Sequence, residues 1–261
     1  MSEFKTVNYS VTSHVGTIRL NRPEAMNSFN VDLRKDLLAA VNQADSDDNV
    51  RVVVIGAEGR AFCAGADLME SYRDFYDTIE EQILEEYKPF LVAIHNSPKI
   101  FISSVQGAAA GIGSALAMVC DLSIMAEDAY IYQAFAAIAL IPDGGASWHL
   151  VNKLGYKRAF EMIVEGEKMP AKTCVELGLA NRVVPNEKLA TVTQAWAENL
   201  AAGAPLAQKF SKEVLKKALS MTLSEVIDLE ASRQNITITS RDHKEGGAAF
   251  FEKRQPNFIG E

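Results

Sequence analysis

The sequence predicts an α/β fold in which strand–strand–helix units repeat and the C-terminal part is helical. Two short apolar runs, Val52–Ile55 and Ile100–Val105, are typical of buried strands. Each of them is followed by a glycine-rich stretch, Gly59–Leu68 and Val105–Asp121 respectively. From Lys188 onward almost every segment has apolar residues at helical spacing.

The N-terminal region is predicted to form two strands and a helix. Thr6–Thr12 and Val15–Leu20 alternate apolar and polar residues on either side of Ser13-His14, which indicates a β-hairpin. Arg22-Pro23 ends the second strand, because proline cannot donate to a sheet ladder. Val31–Ala44 has the spacing of an amphipathic helix that covers the sheet.

The middle of the chain continues this alternation. Ser71–His95 has the pattern of one long helix that ends at Asn96-Ser97-Pro98, and its acidic residues indicate a solvated or subunit-facing surface rather than a metal site. Leu122–Met125 and Ala129–Tyr132 are predicted strands, and Ser147–Leu154 is a predicted helix.

The C-terminal part is predicted to contain four helices and to start near Asn186, which divides the chain into a core of residues 1–185 and a helical region of residues 186–261. The predicted helices are Thr191–Ala202, Ala207–Ala218, Leu223–Thr239 and Arg241–Lys253. Apolar residues on one face of the third helix are expected to be core in preference to a subunit interface; they are Leu223, Val226, Ile227, Leu229 and Ile236.

Composition excludes several classes of function. The chain has 261 residues, 48% hydrophobic content and a formal net charge of −8, which fit a globular protein and argue against nucleic acid or a membrane surface as a partner. The three cysteines show neither a disulfide framework nor metal-ligand spacing. The N-terminus lacks a signal pattern and no apolar run approaches ~18 residues, so a cytoplasmic location is expected.

The two glycine-rich stretches have the composition of a site that binds a ligand through backbone amides. Cys63–Ala66 is a run of small residues, which lets a ligand approach the main chain closely. Gly111-Ile112-Gly113 opens a short helix over Ser114–Val119, where N–H groups lack partners inside the helix. Two such amides aimed at one oxygen would stabilise an oxyanion.

In these stretches the chain resembles the enoyl-CoA hydratase/isomerase, or crotonase, superfamily. The resemblance rests on FCAGADL followed by VQGAAAGIGSALAMVCD, and it extends to IPDGG at residues 141–145 and to GLANRVV at residues 178–184. It implies the ClpP/crotonase-like spiral of ββα repeats, assembled as a homotrimer or a dimer of trimers. It also implies an acyl-CoA thioester substrate whose enolate oxygen is held by the backbone amides of Ala66 and Ile112.

The residues that match the family's catalytic glutamates cannot transfer protons. In hydratases of the family two glutamates position the water, and the matching residues here are Ala115 and Phe135. A two-glutamate hydratase is therefore disfavoured. The stretch Tyr132–Leu140 is almost entirely apolar, and the next carboxylate along the chain is Asp143.

Asp143 in IPDGG has two interpretations. An aspartate before two glycines can be a turn residue or a helix cap. The resemblance favours catalysis, because some isomerases of the superfamily carry their single acid/base at this position. IPDGG followed by Ala146-Ser147-Trp148 is similar to the ring-epoxide isomerases of bacterial phenylacetate breakdown.

A single carboxylate is sufficient for isomerisation. Asp143 would take a proton from C2 of a 3-enoyl thioester and deliver one to C4 of the dienolate, which converts a Δ3 into a Δ2 enoyl-CoA, linear or ring-containing. An apolar lining would raise the pKa of this carboxyl toward the working pH, which suits a group that acts as both base and acid.

Coenzyme A is predicted as part of the substrate, and neither a separate cofactor nor a metal is expected. The resemblance places the CoA moiety near Ala64, Gly65, Asp67 and Gly111. Some relatives bind the CoA phosphates with lysines, but the matching residues here are Glu24 and Met69. Arg22, Lys253 and Arg254 are the candidates for binding the phosphates. Phe250 is expected near the nucleotide, from this chain or a neighbouring subunit.

Three alternatives stay open at this point. A lyase or hydrolase of the same superfamily could use Asp143 as a nucleophile, although the aryl-CoA dehalogenases have tryptophan and histidine where Phe135 and Lys88 stand. A non-catalytic acyl-CoA-binding protein would explain the missing glutamates and lysines. Cys63 could be a nucleophile, and His149 is expected to be structural.

Overall fold

The computed structural model describes residues 4–261, which form two sheets and ten α-helices within that range. The strands are β1 (Val7–Thr12), β2 (Val15–Leu20), β3 (Val52–Ala57), β4 (Ile100–Val105), β5 (Ala108–Ala110), β6 (Leu122–Ala126), β7 (Tyr130–Tyr132), β8 (Lys168–Pro170) and β9 (Arg182–Val184). The helices are α1 (Val31–Ser46), α2 (Ile79–Gln82), α3 (Lys88–Asn96), α4 (Ile112–Val119), α5 (Ala146–Glu165), α6 (Ala171–Glu176), α7 (Leu189–Ala201), α8 (Pro205–Ala218), α9 (Leu223–Thr237) and α10 (Arg241–Glu252).

The larger sheet has six strands in the order β1-β2-β3-β4-β6-β9. The first pair is the predicted antiparallel hairpin, with Val7 opposite Leu20, and all later pairs are parallel. Every residue of β3 is buried, as expected for a central parallel strand covered on both faces. Parallel pairing requires a crossover between successive strands, which the intervening helices and loops provide.

The smaller sheet consists of β5, β7 and β8, with β5 and β7 parallel and β8 antiparallel to β7. The chain passes from β4 of the large sheet to β5 of the small sheet and then into α4, and it repeats a strand–strand step at β6 and β7. Two strands and a helix per turn are the predicted repeat. The three-residue strands β5, β8 and β9 were not predicted, because such short segments carry no alternation pattern.

The helix predicted over Ser71–His95 is corrected by the structure. A short 3₁₀ turn at Tyr72–Asp74 is followed by α2, then by a π-helical segment at Ile83–Tyr87, and α3 continues from Lys88. Thr78 begins α2 with a capping box, in which its hydroxyl accepts from the Glu81 N–H. The sequence pattern did not reveal this boundary, because the residues before it also contain apolar side chains at helical intervals.

The C-terminal helices occupy the predicted positions, and the division at residues 185 and 186 stays a prediction. Helix α7 packs on β3, β4 and β6 of the large sheet, so the first of these helices is in direct contact with the core. The expectation that the apolar face of α9 is core is wrong for the single chain. Leu223 is 76% exposed and Ile227 is 53% exposed.

Across residues 4–261, no helix combines the length and the apolar character needed to cross a membrane.

Candidate active site

The two glycine-rich stretches lie side by side because they pair as short strands. The Cys63 amide donates to the Ala108 carbonyl at 2.9 Å, and the Ala110 amide donates to the Cys63 carbonyl at 2.9 Å. A Cβ atom at Gly65 would be 3.1 Å from the Ala110 carbonyl oxygen. This pairing places the end of the first stretch, at Ala66, next to the start of α4.

The start of α4 depends on two glycines. Gly111, its N-cap residue, has φ 51° and ψ −129°, a conformation that a residue with a side chain rarely adopts. Gly113 lies against the first stretch, where a Cβ atom would be 2.5 Å from the Cys63 carbonyl oxygen and 2.7 Å from its Sγ atom. The backbones of the two glycine-rich stretches are therefore in direct contact near the two predicted oxyanion amides.

Among the described residues, neither predicted oxyanion donor uses its N–H in a backbone hydrogen bond. The strand around Ala66 is fixed by its neighbours, since the Phe29 amide donates to the Gly65 carbonyl and the Asp67 amide donates to the Phe29 carbonyl. The N–H of Ala66 itself has no acceptor within residues 4–261. Ile112 is the first residue of α4, so its N–H has no partner inside the helix.

Asp143 lies beside this helix start and carries an unpaired buried oxygen. A Cβ atom at the adjacent Gly144 would overlap Cδ1 of Ile112 and would be 3.1 Å from Cβ of Ala115. The Oδ1 atom of Asp143 is buried and accepts no hydrogen bond from the described residues. Burial raises the pKa of the Asp143 carboxyl to about 6, against a hydrogen bond from its own backbone that lowers it.

The main chain of Asp143 does form a turn, since its carbonyl accepts from the Ala146 amide at 3.0 Å across Gly144-Gly145, but the cap interpretation of its side chain is not supported. A capping carboxylate accepts a backbone N–H at the start of a helix, and Gly145, not Asp143, is the N-cap residue of α5. The α5 N-cap makes no side-chain hydrogen bond. The Asp143 carboxylate is thus available for a proton transfer near neutral pH.

The residues in the glutamate positions make the site apolar. Ala115 is fully buried in α4, and Phe135 is 7% exposed. A Cβ atom at Gly111 would be 3.8 Å from Cζ of Phe135, so the aromatic ring reaches the helix start. Neither side chain can hold a water molecule or move a proton.

Tyr87 is a polar group near the site that the sequence analysis missed. It is 4% exposed and lies at the end of the π-helical segment, with its hydroxyl 3.4 Å from Arg34 Nη1. Burial raises the pKa of Tyr87, the positive charge of Arg34 opposes the rise, and the negative charge of Asp143 adds to it. π-Helical segments are common at functional sites, but the sequence of Ile83–Tyr87 does not differ from that of an ordinary α-helix, so the segment could not be predicted.

A buried ion network fixes the loop that follows Ala66. Arg34 on α1 pairs with Glu70 at 2.7 Å and with Glu86 at 2.6 Å, and its guanidinium is 2% exposed. Glu70 also accepts from the Val31 amide at 2.9 Å. The loop after the first oxyanion donor is therefore tied to the start of α1.

Two alternatives for catalysis lose support. Cys63 is fully buried, and burial raises the pKa of its thiol to about 12, so it is a poor nucleophile. His149 lies near Trp148 and His95, and burial, with nearby positive charge, lowers its pKa to about 4. A neutral, packed imidazole agrees with the structural role expected for His149.

The predicted CoA contacts remain predictions, and the structure shows what each residue does in the single chain. Arg22 pairs with Asp67 at 3.0 Å and also donates to the Ser28 carbonyl. Burial alone would raise the pKa of Asp67, but the hydrogen bond and charge of Arg22 lower it. Phe250 is 79% exposed, and Lys253 ends α10 in a left-handed conformation.

A separate cleft of about 710 Å³ lies between the ends of α3 and α4, the start of α5 and one side of α8 along its length. Trp148 and His149 line one side and Leu215 lines the other, while Lys212 is held by Asp121 at 2.6 Å. Asp143, Ala66 and Ile112 are not among its lining residues. Within the described chain, no group of three His, Cys, Asp or Glu side chains has the arrangement of a metal site.

Comparison with known proteins places the chain in a family. The sequence profile of the enoyl-CoA hydratase/isomerase family matches residues 10–261. The chain belongs to the enoyl-CoA hydratase/isomerase family. A probable enoyl-CoA hydratase of Rhodobacter capsulatus is 37% identical over 98% of this chain and 99% of its own length. The 1,2-epoxyphenylacetyl-CoA isomerase of Escherichia coli is 34% identical over 96% of this chain and 97% of its own length.

The fold of the family is also confirmed. A crystal structure of enoyl-CoA hydratase subunit I from Geobacillus kaustophilus superposes with a TM-score of 0.92 at 35% identity and covers 100% of both chains. The predicted crotonase-type α/β spiral with a helical C-terminal part is therefore correct. Enzymes of this hydratase/isomerase family act on acyl-CoA thioesters.

Proposed function

We propose that this member of the family is an enoyl-CoA isomerase that uses Asp143 as its single acid/base. The observation that carries the proposal is the environment of that carboxylate. Its Oδ1 atom is buried near the start of α4 and accepts no hydrogen bond from the described residues, and burial raises the pKa of the carboxyl to about 6. Ala115 and Phe135 leave no other carboxylate at the positions where hydratases of the family have glutamates.

The reaction would proceed in two proton transfers. The thioester carbonyl oxygen accepts hydrogen bonds from the amides of Ala66 and Ile112, which makes a C2 proton of a 3-enoyl chain acidic. The Asp143 carboxylate removes that proton, and the electron pair spreads over the dienolate to its oxygen. The protonated Asp143 then returns the proton at C4, which leaves a 2-enoyl thioester and restores the carboxylate.

Several features support isomerisation over hydration. Water addition needs a positioned nucleophilic water, and the apolar surfaces of Ala115 and Phe135 provide no group that would hold one. The E. coli relative is itself an isomerase of an acyl-CoA, 1,2-epoxyphenylacetyl-CoA. The substrate would be a Δ3 enoyl-CoA, with a linear or ring-containing acyl group.

The remaining expectations accompany this proposal. The CoA moiety would lie along Ala64–Asp67 and Gly111, and Phe250 and Lys253 would reach the nucleotide from a neighbouring subunit. The exposed apolar face of α9 supports a homotrimer or a dimer of trimers. A cytoplasmic location and the absence of a separate cofactor belong to the same proposal.

The test is turnover of 3-hexenoyl-CoA, with the 2-hexenoyl product separated by chromatography and hydration of crotonyl-CoA measured in parallel. The parent protein should isomerise, and Asp143→Asn should lose about 10²- to 10⁴-fold in kcat because the acid/base is gone. Asp48→Asn makes the same change at an exposed turn and should leave the rate unchanged.

Three results would refute parts of the proposal. Equal isomerisation by Asp143→Asn and the parent would exclude Asp143 as the acid/base. Dominant hydration of crotonyl-CoA by the parent would make the protein a hydratase. Tight thioester binding without turnover of either substrate would favour the non-catalytic acyl-CoA-binding alternative.

A further inference from the structure

Hydrogen bonds hold the two peptide units that meet at Gly111, through its N–H on one side and its carbonyl on the other. The Gly111 amide donates to the Tyr132 carbonyl at 2.9 Å. The Gly111 carbonyl accepts from the Ser114 hydroxyl at 2.6 Å and from the Ser114 amide at 2.9 Å. The Ser114 hydroxyl in turn accepts from Nε2 of Gln133 at 2.9 Å.

This chain of hydrogen bonds acts on a predicted oxyanion donor. The carbonyl of Gly111 and the N–H of Ile112 belong to one planar trans peptide unit and point in opposite directions. Fixing the Gly111 oxygen therefore fixes the direction of the Ile112 N–H. Hydrogen bonds in a chain also polarise one another, so a donor on the carbonyl strengthens the N–H on the other side of the peptide.

The direction of the hydrogen bonds follows from the groups involved. A carbonyl can only accept, so the Ser114 hydroxyl hydrogen points to Gly111, and its lone pair takes the N–H of Gln133. This orientation leaves Oε1 of Gln133 without a partner among the described residues, although Gln133 is fully buried. The Ser114 hydroxyl thus donates to Gly111 and accepts from Gln133, which fixes its orientation from both sides.

We infer that Ser114 and Gln133 are positioning residues that orient and polarise the Ile112 N–H for the thioester oxygen. The inference rests on the oxyanion role of Ile112 in the proposed function. It does not depend on which reaction follows the binding of the thioester, because the polarised amide acts on the carbonyl of any bound acyl group.

The first variant is Ser114→Ala, and its matched control is Ser103→Ala. Ser103 is also fully buried and donates its hydroxyl to Ser123 at 2.9 Å, in strands β4 and β6 of the large sheet. In Ser114→Ala the Ser114 amide still donates to Gly111, so the helix start keeps a partner. Thermal unfolding of both variants checks that they fold.

The spectroscopic readout uses hexanoyl-CoA labelled with ¹³C at the thioester carbonyl, a saturated ligand that cannot isomerise. The infrared carbonyl stretch should move to lower frequency on binding to the parent. The displacement should be smaller with Ser114→Ala and unchanged with Ser103→Ala. Gln133→Met has a similar volume without the donor, and it should give an intermediate displacement.

The kinetic readout separates positioning from binding. Complete removal of an oxyanion donor costs about 10²- to 10³-fold in kcat in studied enzymes. In Ser114→Ala the Ile112 amide remains but is less polarised, so a smaller loss of about tenfold in kcat is expected, with KM almost unchanged.

The outcomes separate this inference from the proposed function. The inference is supported if the frequency of the thioester carbonyl stretch falls on binding to the parent and falls less on binding to Ser114→Ala. This holds even if no enoyl-CoA is isomerised, in which case the isomerase proposal alone fails. The inference is overturned if the parent produces no displacement, if Ser114→Ala matches the parent, or if Ser103→Ala loses as much as Ser114→Ala. If Ser114→Ala does not fold, Gln133→Met takes its place, and its carbonyl stretch and kcat are compared with those of the parent and of Ser103→Ala.

Discussion

Burial of the Asp143 carboxyl has an effect on the stability of the protein that can be measured without any substrate. Its carboxyl titrates at about 6 in the folded protein, compared with an ordinary value of 3.8. At 1.36 kcal/mol for each pH decade, this displacement costs the folded state about 3 kcal/mol when Asp143 is ionised. Asp143→Asn cannot ionise and should be more stable than the parent at neutral pH by up to about 3 kcal/mol.

The sign of the pH dependence follows from the raised pKa of Asp143. The folded protein binds this proton more tightly than the unfolded chain, so the contribution of Asp143 to stability is fully present below pH 3.8. It is lost as the pH rises to about 6. The difference in stability between Asp143→Asn and the parent should thus be close to zero near pH 4 and greatest above pH 7.

Urea unfolding at several pH values, at one fixed protein concentration, measures this difference, and Asp48→Asn is the control that should show none. A parent that is as stable as Asp143→Asn at pH 7.5 would refute the claim that burial raises the pKa of the Asp143 carboxyl. In the parent, kcat/KM for isomerisation should rise through pH 6 as the base ionises. A profile without that inflection would count equally against Asp143 as the base.

Three further predictions concern the supports of the site. Gly113→Ala should lose most turnover, because its Cβ would be 2.5 Å from the Cys63 carbonyl oxygen, and unchanged kcat would contradict the close packing of the two stretches. Cys63 should resist alkylation by iodoacetamide at pH 8, because its thiol is buried and burial raises its pKa to about 12. Mass spectrometry measures the labelling, and rapid labelling would show that the loop opens. Arg34→Met should lower the free energy of unfolding by about 3–5 kcal/mol in urea, because it removes the cation that pairs with the buried Glu86 and the half-buried Glu70. A loss below about 1 kcal/mol would show that the two carboxylates are solvated.

Much of the fold was accessible from the sequence because long elements carry a periodic pattern. The hairpin at β1 and β2, the helix α1 and the four C-terminal helices all have apolar residues at the interval of their secondary structure. The strands β5, β8 and β9 and the interruption of the Ser71–His95 helix were missed, since they depend on contacts with distant parts of the chain.

The candidate site was predictable to the extent that backbone chemistry requires particular residues. The glycines of the second stretch and the carboxylate of Asp143 stand out in a string of letters, because small residues and a lone acid in an apolar segment are unusual. Tyr87, Ser114 and Gln133 did not stand out. Their importance comes from hydrogen bonds and burial that only the folded chain creates.

The apolar face of α9 was misjudged for a different reason. A stripe of apolar residues on a helix indicates that the face is covered, but the pattern is the same whether the cover is the chain's own core or another molecule. Leu223 and Ile227 are exposed in the single chain. Periodicity therefore predicted the helix correctly and could not identify what it packs against.

The π-helical segment Ile83–Tyr87 sets the orientation of α3 relative to α2, because the three segments are continuous. A π-turn accommodates one more residue than an α-turn, so it is equivalent to a single-residue insertion into a continuous helix. Deleting one residue there would restore the α-helical register and rotate the preceding and following faces by about 100° relative to each other. Gln82 at the end of α2 and Phe90 in α3 are both buried. After the deletion they could not both keep that orientation, so a single extra residue allows both helices to bury a face.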